Sequence, residues 1–116
     1  MRIPEDGTLL RIFIGEADQW EGSSLFEAIV RLARQESMAG ATVFKGVMGF
    51  GLKSHLHRAS FFRLSEDLPM IIEIVDSDEK INAFLPRLDA MIRDGLVTTE
   101  KIHVVFYRAS DPQRRP

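Results

Sequence analysis

The residues whose types and spacing offer chemistry lie in one run, KGVMGFGLKSHLHR, at positions 45–58. Gly46, Gly49 and Gly51 leave the backbone free to take positive φ and let another group approach where a Cβ would otherwise stand. Just downstream come Lys53, Ser54, His55, His57 and Arg58. Free backbone N–H groups beside cations and a hydroxyl are what an anion such as a phosphate recruits. The run is therefore predicted to be a ligand loop. Phe50, set between two of the glycines, has few intramolecular neighbours and is expected to lie over a base or to seal a subunit junction.

Sharper motifs fail on particular residues. Leu52 separates Gly51 from Lys53 and Ser54, which breaks the G-x-x-x-x-G-K-[ST] cradle, and a strand rather than a helix is expected after the loop, so an NTPase P-loop is excluded. Ser54 and His55 are adjacent, point to opposite sides of an extended chain and have no orienting carboxylate, which removes acyl transfer. No carboxylate pair, nucleophile triad or complete metal set is visible, and the protein is expected not to be an enzyme. His55 and His57, two apart, would present both imidazoles on one side of an extended segment, as a metal pair requires. A third ligand is lacking, because the chain has no cysteine and its other histidine, His103, falls on a predicted strand. KGVMGFG only brushes the RNA-recognition signature, follows the second strand instead of forming the third, and sits in a chain of formal charge -2. Nucleic acid is not an expected partner.

The elements that must position this loop are legible on either side of it. At 116 residues the chain suits one domain with a single core,, here a core of about residues 8–108 with loose ends. Residues 8–15 alternate, with Leu10, Ile12 and Ile14 on one face and Leu9, Arg11 and Phe13 on the other, which predicts a strand. Residues 22–39 carry Leu25, Ile29, Leu32 and Ala33 at helical spacing, opened by a Ser24/Glu27 capping box and closed by Gly40. Strands are predicted over 41–45 and 70–75, with 59–64 as a hairpin arm after the loop. Asp76 and Glu79 spell a second capping box before the stripe Ile81, Phe84, Leu85, Leu88, Met91 and Ile92. Pro86 should kink that helix without ending it, and Gly95 should close it. The last strand is predicted over 101–107.

This order, β-α-β, loop, β-α-β, predicts an α+β, ferredoxin-like βαββαβ sandwich with a long glycine-rich loop between its second and third strands. Residues 10, 12, 14, 70, 72, 74, 102, 104 and 106 should meet the helices. The opposite face, with Leu9, Phe13, Ile71, Val75, Val105 and Tyr107, is too apolar to face water alone and is expected to be covered by identical subunits. Arg11, Glu73 and His103 are expected there as a hydrogen-bonded set or as solvated rim residues. With no cysteine, no signal-peptide pattern in MRIPEDGTLL and no apolar run of bilayer length, a cytoplasmic location is expected.

The blocks LLRIFIGE, AGATVFKGVMGFG, LSEDLPMIIEIVD, EKINAFLPRLDAMI and GLVTTEKIHVV, in this order, resemble the PII-like family of domain of unknown function 190 across residues 9–107. The resemblance implies a signalling or regulatory homotrimer that binds an adenine nucleotide (AMP, ADP or ATP) in clefts between subunits. It also implies that residues 46–64 are offered to a protein target, with a membrane transporter or channel as the candidate. The glycine-rich nucleotide loop of PII proteins, between the second helix and the last strand, has no match in DGLVTTEK at 94–101. The anion contacts are accordingly placed in this chain's own glycine loop: Lys45, Lys53, His57 and Arg58 as phosphate ligands, with Gly46, Gly49, Phe50, Gly51 and Ser54 around them and Arg108 supplied by a neighbour. The alternative is a trimeric metal-binding protein using His55 and His57.

Overall fold

A computed structural model of the chain describes residues 5–51 and 67–110. The elements run β1 (Asp6–Gly15), β2 (Gln19–Trp20), β3 (Ser23–Ser24), α1 (Leu25–Gln35), β4 (Gly40–Lys45), β5 (Pro69–Asp76), α2 (Asp78–Asp89) and β6 (Leu96–His103). β4, β5, β1 and β6 form one sheet in that spatial order, every neighbouring pair antiparallel. With both helices on one face, this is the ferredoxin-like arrangement that the β-α-β repeat predicts. The expected hairpin arm at 59–64 lies outside the described residues.

The strict alternation of β1 and β5 decides which face meets the helices. Leu10, Ile12, Ile14, Met70, Ile72 and Ile74 are buried against Leu25, Ile29, Leu32 and Ala33 of α1 and Ile81, Phe84 and Leu88 of α2. Each fully buried side chain of this size contributes about 1.5–3 kcal/mol against exposure. Pro86 lies inside α2, which continues past it to Asp89. Its missing N–H therefore does not end the helix.

Several boundaries differ from expectation for local reasons. Gly22 does not open a helix. Glu21 and Gly22, with φ of 47° and 83°, form the turn between β2 and β3, the conformation that a two-residue hairpin needs at both central positions. Ser24 is the N-cap of α1 without a side-chain cap bond, and Glu27 instead accepts from Arg31 at 3.4 Å. The left-handed residue ending α1 is Ser37, φ 57°, not Gly40. Met38 N donates to Ala33 O and Ser37 N to Arg34 O, both at 3.0 Å, which is the paired bonding of a Schellman stop. At α2 the N-cap is Ser77, whose hydroxyl accepts from Lys80 N at 3.3 Å. Asp76 is instead 1% exposed and accepts from Ala39 N at 2.8 Å and Ser77 N at 2.6 Å. It thereby ties the start of β4 to the start of α2.

The last strand also starts earlier than predicted and has the opposite phase. β6 begins at Leu96, and its register pairs Lys101 with Thr8, Thr99 with Leu10 and Val97 with Ile12. These three, not 102, 104 and 106, share the helix side. Ile102 pairs with Gly7, and Phe106 lies beyond the strand, 70% exposed. Beyond β6 the chain crosses to the other edge of the sheet, where Tyr107 Oη donates to Ala39 O.

Candidate functional site

The candidate site is a cleft of about 530 Å³ at the end of the sheet where β1 and β4 finish and β5 and β6 begin. Its walls are built by close backbone approaches. Gly46 N donates to Pro69 O at 2.7 Å, and a Cβ at Gly46 would meet the Pro69 ring at 2.6 Å, at Gly49 at 3.1 Å. These two glycines let the chain leaving β4 lie flat on the first residue of β5. Neither they nor Gly51 has a positive φ. Close approach, and not left-handed backbone, is thus what the structure requires of Gly46 and Gly49. The chain then carries Gly49, Phe50 and Gly51 along one side of the cleft.

The opposite side is the turn between α2 and β6. A Cβ on Gly95 would sit 2.8 Å from Phe13 O and 3.2 Å from the side chains of Ile14 and Ile92, so only a bare Cα lets this turn rest on the end of β1. Arg93, Asp94 and Leu96 then line the cleft opposite Phe50. Phe13, Ile14 and Pro69 add apolar surface, and Asp18 and Asp67 add carboxylates. Both carboxylates hold backbone: Asp18 Oδ2 accepts from Gly15 N at 3.0 Å and Asp67 Oδ1 from Ala17 N at 2.9 Å. Arg93 is exposed and makes no hydrogen bond or ion pair among the described residues. The arrangement offers an apolar slot for a flat ring and a free guanidinium for an anion.

Of the residues singled out from the sequence, Gly49, Phe50 and Gly51 are brought to this cleft, and Phe50 is 77% exposed there. Gly46 supports it through Pro69. Lys45 ends β4 beside it, with its Nζ 2.8 Å from Glu16 Oε2. Lys53, Ser54, His57 and Arg58 lie outside the described residues, as does His55 of the metal alternative. Among the described residues no three side chains come together as a metal set. Arg108 is not brought to the cleft of its own chain: it follows Tyr107 at the other end of the sheet, 4.5 Å from the Phe106 ring centre. Sequence reasoning missed Arg93. Its signal was the Arg-Asp-Gly triplet ahead of a strand, where the glycine marks a close backbone approach.

The sheet face away from the helices carries Leu9, Phe13, Phe44, Ile71, Val75 and Leu96, all half-buried or exposed. At its centre Arg11 Nε meets Glu73 Oε2 at 2.8 Å, and Arg11 Nη1 meets Glu100 Oε1 at 3.4 Å. Glu100, not His103, completes the expected trio. His103 pairs in register with Asp6 and lies 3.3 Å from both Asp6 and Glu5 carboxylates.

Comparison with known proteins agrees with this architecture. The family model DUF190, described as Uncharacterized ACR, matches residues 7–104. The chain is 39% identical over 97 residues to a UPF0166 protein of Methanocaldococcus jannaschii, covering 83% of this chain and 89% of that protein. It is 34% identical over 98 residues to a UPF0166 protein of Aquifex aeolicus, covering 84% and 92%. Among solved structures it is similar to CPII of Thiomonas intermedia K12 bound to ADP, AMP and acetate, with a TM-score of 0.54, 19% identity and coverage of 85% and 88%. A second structure of CPII, a nitrogen regulatory PII-like protein, is bound to ADP, AMP and bicarbonate and gives a TM-score of 0.52 at 20% identity, with coverage of 85% and 88%. At such identity the likeness is one of fold. The match through both β-α-β halves and the two UPF0166 relatives together establish that the chain belongs to the DUF190 family and has a PII-like, ferredoxin-like fold.

Proposed function

We propose that the protein is a noncatalytic, cytoplasmic regulator in which three copies join through the uncovered sheet face and an adenine nucleotide binds at the cleft. Binding changes the surface that residues 46–64 offer to a protein target. The observation that carries this reading is the cleft itself: an apolar slot between the Gly49–Gly51 segment and the turn at residues 93–96, with a free guanidinium on its rim. Its lining suits a purine ring with an attached anion. Lys53, Ser54, His57 and Arg58 follow the segment in sequence and are the candidate anion contacts, three cationic or protonatable side chains and a hydroxyl, while Arg108 of a second copy is a further candidate. The fold likeness to CPII, crystallised with ADP and AMP, supports the same ligand class.

The sheet face supports the assembly. Its exposed and half-buried apolar residues surround the Arg11–Glu73 pair, the pattern of a contact surface with a satisfied ion pair at its centre. Titrating tag-free protein with AMP, ADP and ATP by calorimetry tests the ligand, and sedimentation equilibrium tests the assembly. Binding by a trimer is expected. No heat with any of the three at millimolar concentration, or a stable monomer, refutes the corresponding half.

A further inference from the structure

We propose that the groove between the two helices is a second ligand site, separate from the cleft, and that it takes a small amphiphilic carboxylic acid. The groove has a volume of about 720 Å³, within the range of about 300–1,000 Å³ in which proteins hold small organic ligands. Its described lining shares no residue with the cleft and lies on the helix layer, so assembly through the sheet face leaves it open. The opening follows from side-chain size. Where the helices face each other, α1 presents Ala28 and the end of α2 presents Ala90, too short to close the gap over the buried Leu32 and Met91. Along α1 the lining runs from Ala28 to Gln35, two turns or about 10 Å,.

Charge decides the ligand class. Two guanidinium groups line the groove, Arg31 from α1 and Arg87 from α2, against one carboxylate, Glu21. Arg31 Nη2 donates to Glu27 Oε2 at 3.4 Å with both side chains exposed, a pairing worth little in water, so its fork can turn to a ligand. Arg87 Nη1 donates to Glu36 Oε1 at 2.6 Å, which engages one nitrogen of a group with five N–H donors. Glu36 is the C-cap of α1, so this bridge lies at the far end of the groove from the β2–β3 hairpin that leads into the helix. The hairpin contributes Glu21 and the half-buried Trp20. An acid therefore lies with its carboxylate toward the two arginines and its apolar body along Ala28, Ala90 and the Trp20 indole, because Glu21 repels an anion placed the other way.

Trp20 is the chain's one tryptophan, so its fluorescence reads occupancy of the groove. The test titrates tag-free protein with octanoate and with octan-1-ol as its uncharged counterpart, then repeats both on the double variant Arg31→Gln with Arg87→Gln and on Ala90→Leu, with thermal melts as a folding control. Octanoate is expected to shift the Trp20 emission saturably, and octan-1-ol to bind roughly 5- to 30-fold more weakly, the effect of two charge-assisted hydrogen bonds at an exposed rim. The double variant should weaken octanoate by the same factor and leave octan-1-ol unchanged. Ala90→Leu fills the groove and should remove binding of both. No saturable shift with octanoate overturns the proposal, as does equal binding of acid and alcohol, or octanoate binding that survives Ala90→Leu. If the double variant does not melt cooperatively, Arg31→Gln alone, which breaks no bridge between the helices, should weaken octanoate by roughly 2- to 5-fold, and no loss overturns the carboxylate assignment.

Discussion

Replacing Gly95 by alanine should damage the protein at one defined place. The added Cβ falls 2.8 Å from Phe13 O, a backbone atom of the central strand, and 3.2 Å from the Ile14 and Ile92 methyls. The carbonyl belongs to a residue paired with Ile71 on one side and Leu96 on the other, so the strand does not yield and the turn must. Overpacking of this kind costs about 1–3 kcal/mol. Because φ at Gly95 is not positive, alanine also gains about 0.4–1 kcal/mol by restricting the unfolded chain. Taken at the middle of each range, the net loss is roughly 1.3 kcal/mol, or roughly 4–8 °C in melting temperature for a domain of this size. Gly40→Ala is the control, since its Cβ meets nothing within 4 Å and its melt should stay at or slightly above wild type. Thermal unfolding followed by circular dichroism reads both. A Gly95→Ala protein that melts with wild type would refute the docking of this turn on β1, and with it the placement of Arg93 on the cleft wall.

Asp76→Ala leaves the half-buried Ala39 and Ser77 N–H groups without their acceptor, and urea unfolding should show a loss of roughly 2–4 kcal/mol. Ser37→Gly relieves the left-handed strain at φ 57° while keeping the backbone carbonyl that Lys80 reaches at 2.7 Å, and should raise stability by roughly 0.5 kcal/mol after the extra freedom of glycine in the unfolded chain; a lower midpoint contradicts it. Glu73→Ala leaves Arg11 with only its longer contact to Glu100. In a monomer that change is worth at most about 1 kcal/mol, whereas at the centre of a buried junction an uncompensated guanidinium costs about 3–5 kcal/mol. Sedimentation should therefore show Glu73→Ala dissociating, and an unchanged oligomer removes the sheet face as the junction.

Much of this architecture was legible because β1 and β5 are inner strands buried on one face. Leu10, Ile12 and Ile14, then Met70, Ile72 and Ile74, alternate without exception, and burial on one side fixes their phase. β6 was misread for the converse reason. It is an edge strand whose residues are mostly exposed, so the apolar run VVFY after it attracted the prediction although nothing in the core constrained its register. Capping patterns failed where a second demand won: Asp76 carries the cap signature, yet it is drawn inside by the amides of Ala39 and Ser77, and Ser77 takes the cap. The glycine loop was visible as a feature, but the work of Gly46 and Gly49 depends on Pro69, twenty or more residues on, which no local pattern connects to them. Arg93 escaped notice because a lone arginine becomes part of a site only when the turn around it folds onto another strand.

The most direct test of the central claim is diffraction from crystals grown with AMP. Density for the nucleotide is expected between the Gly49–Gly51 segment and residues 93–96, with a second copy of the chain completing the cleft. A nucleotide bound elsewhere on the molecule, or a cleft left open in crystals of protein shown to bind AMP in solution, contradicts it.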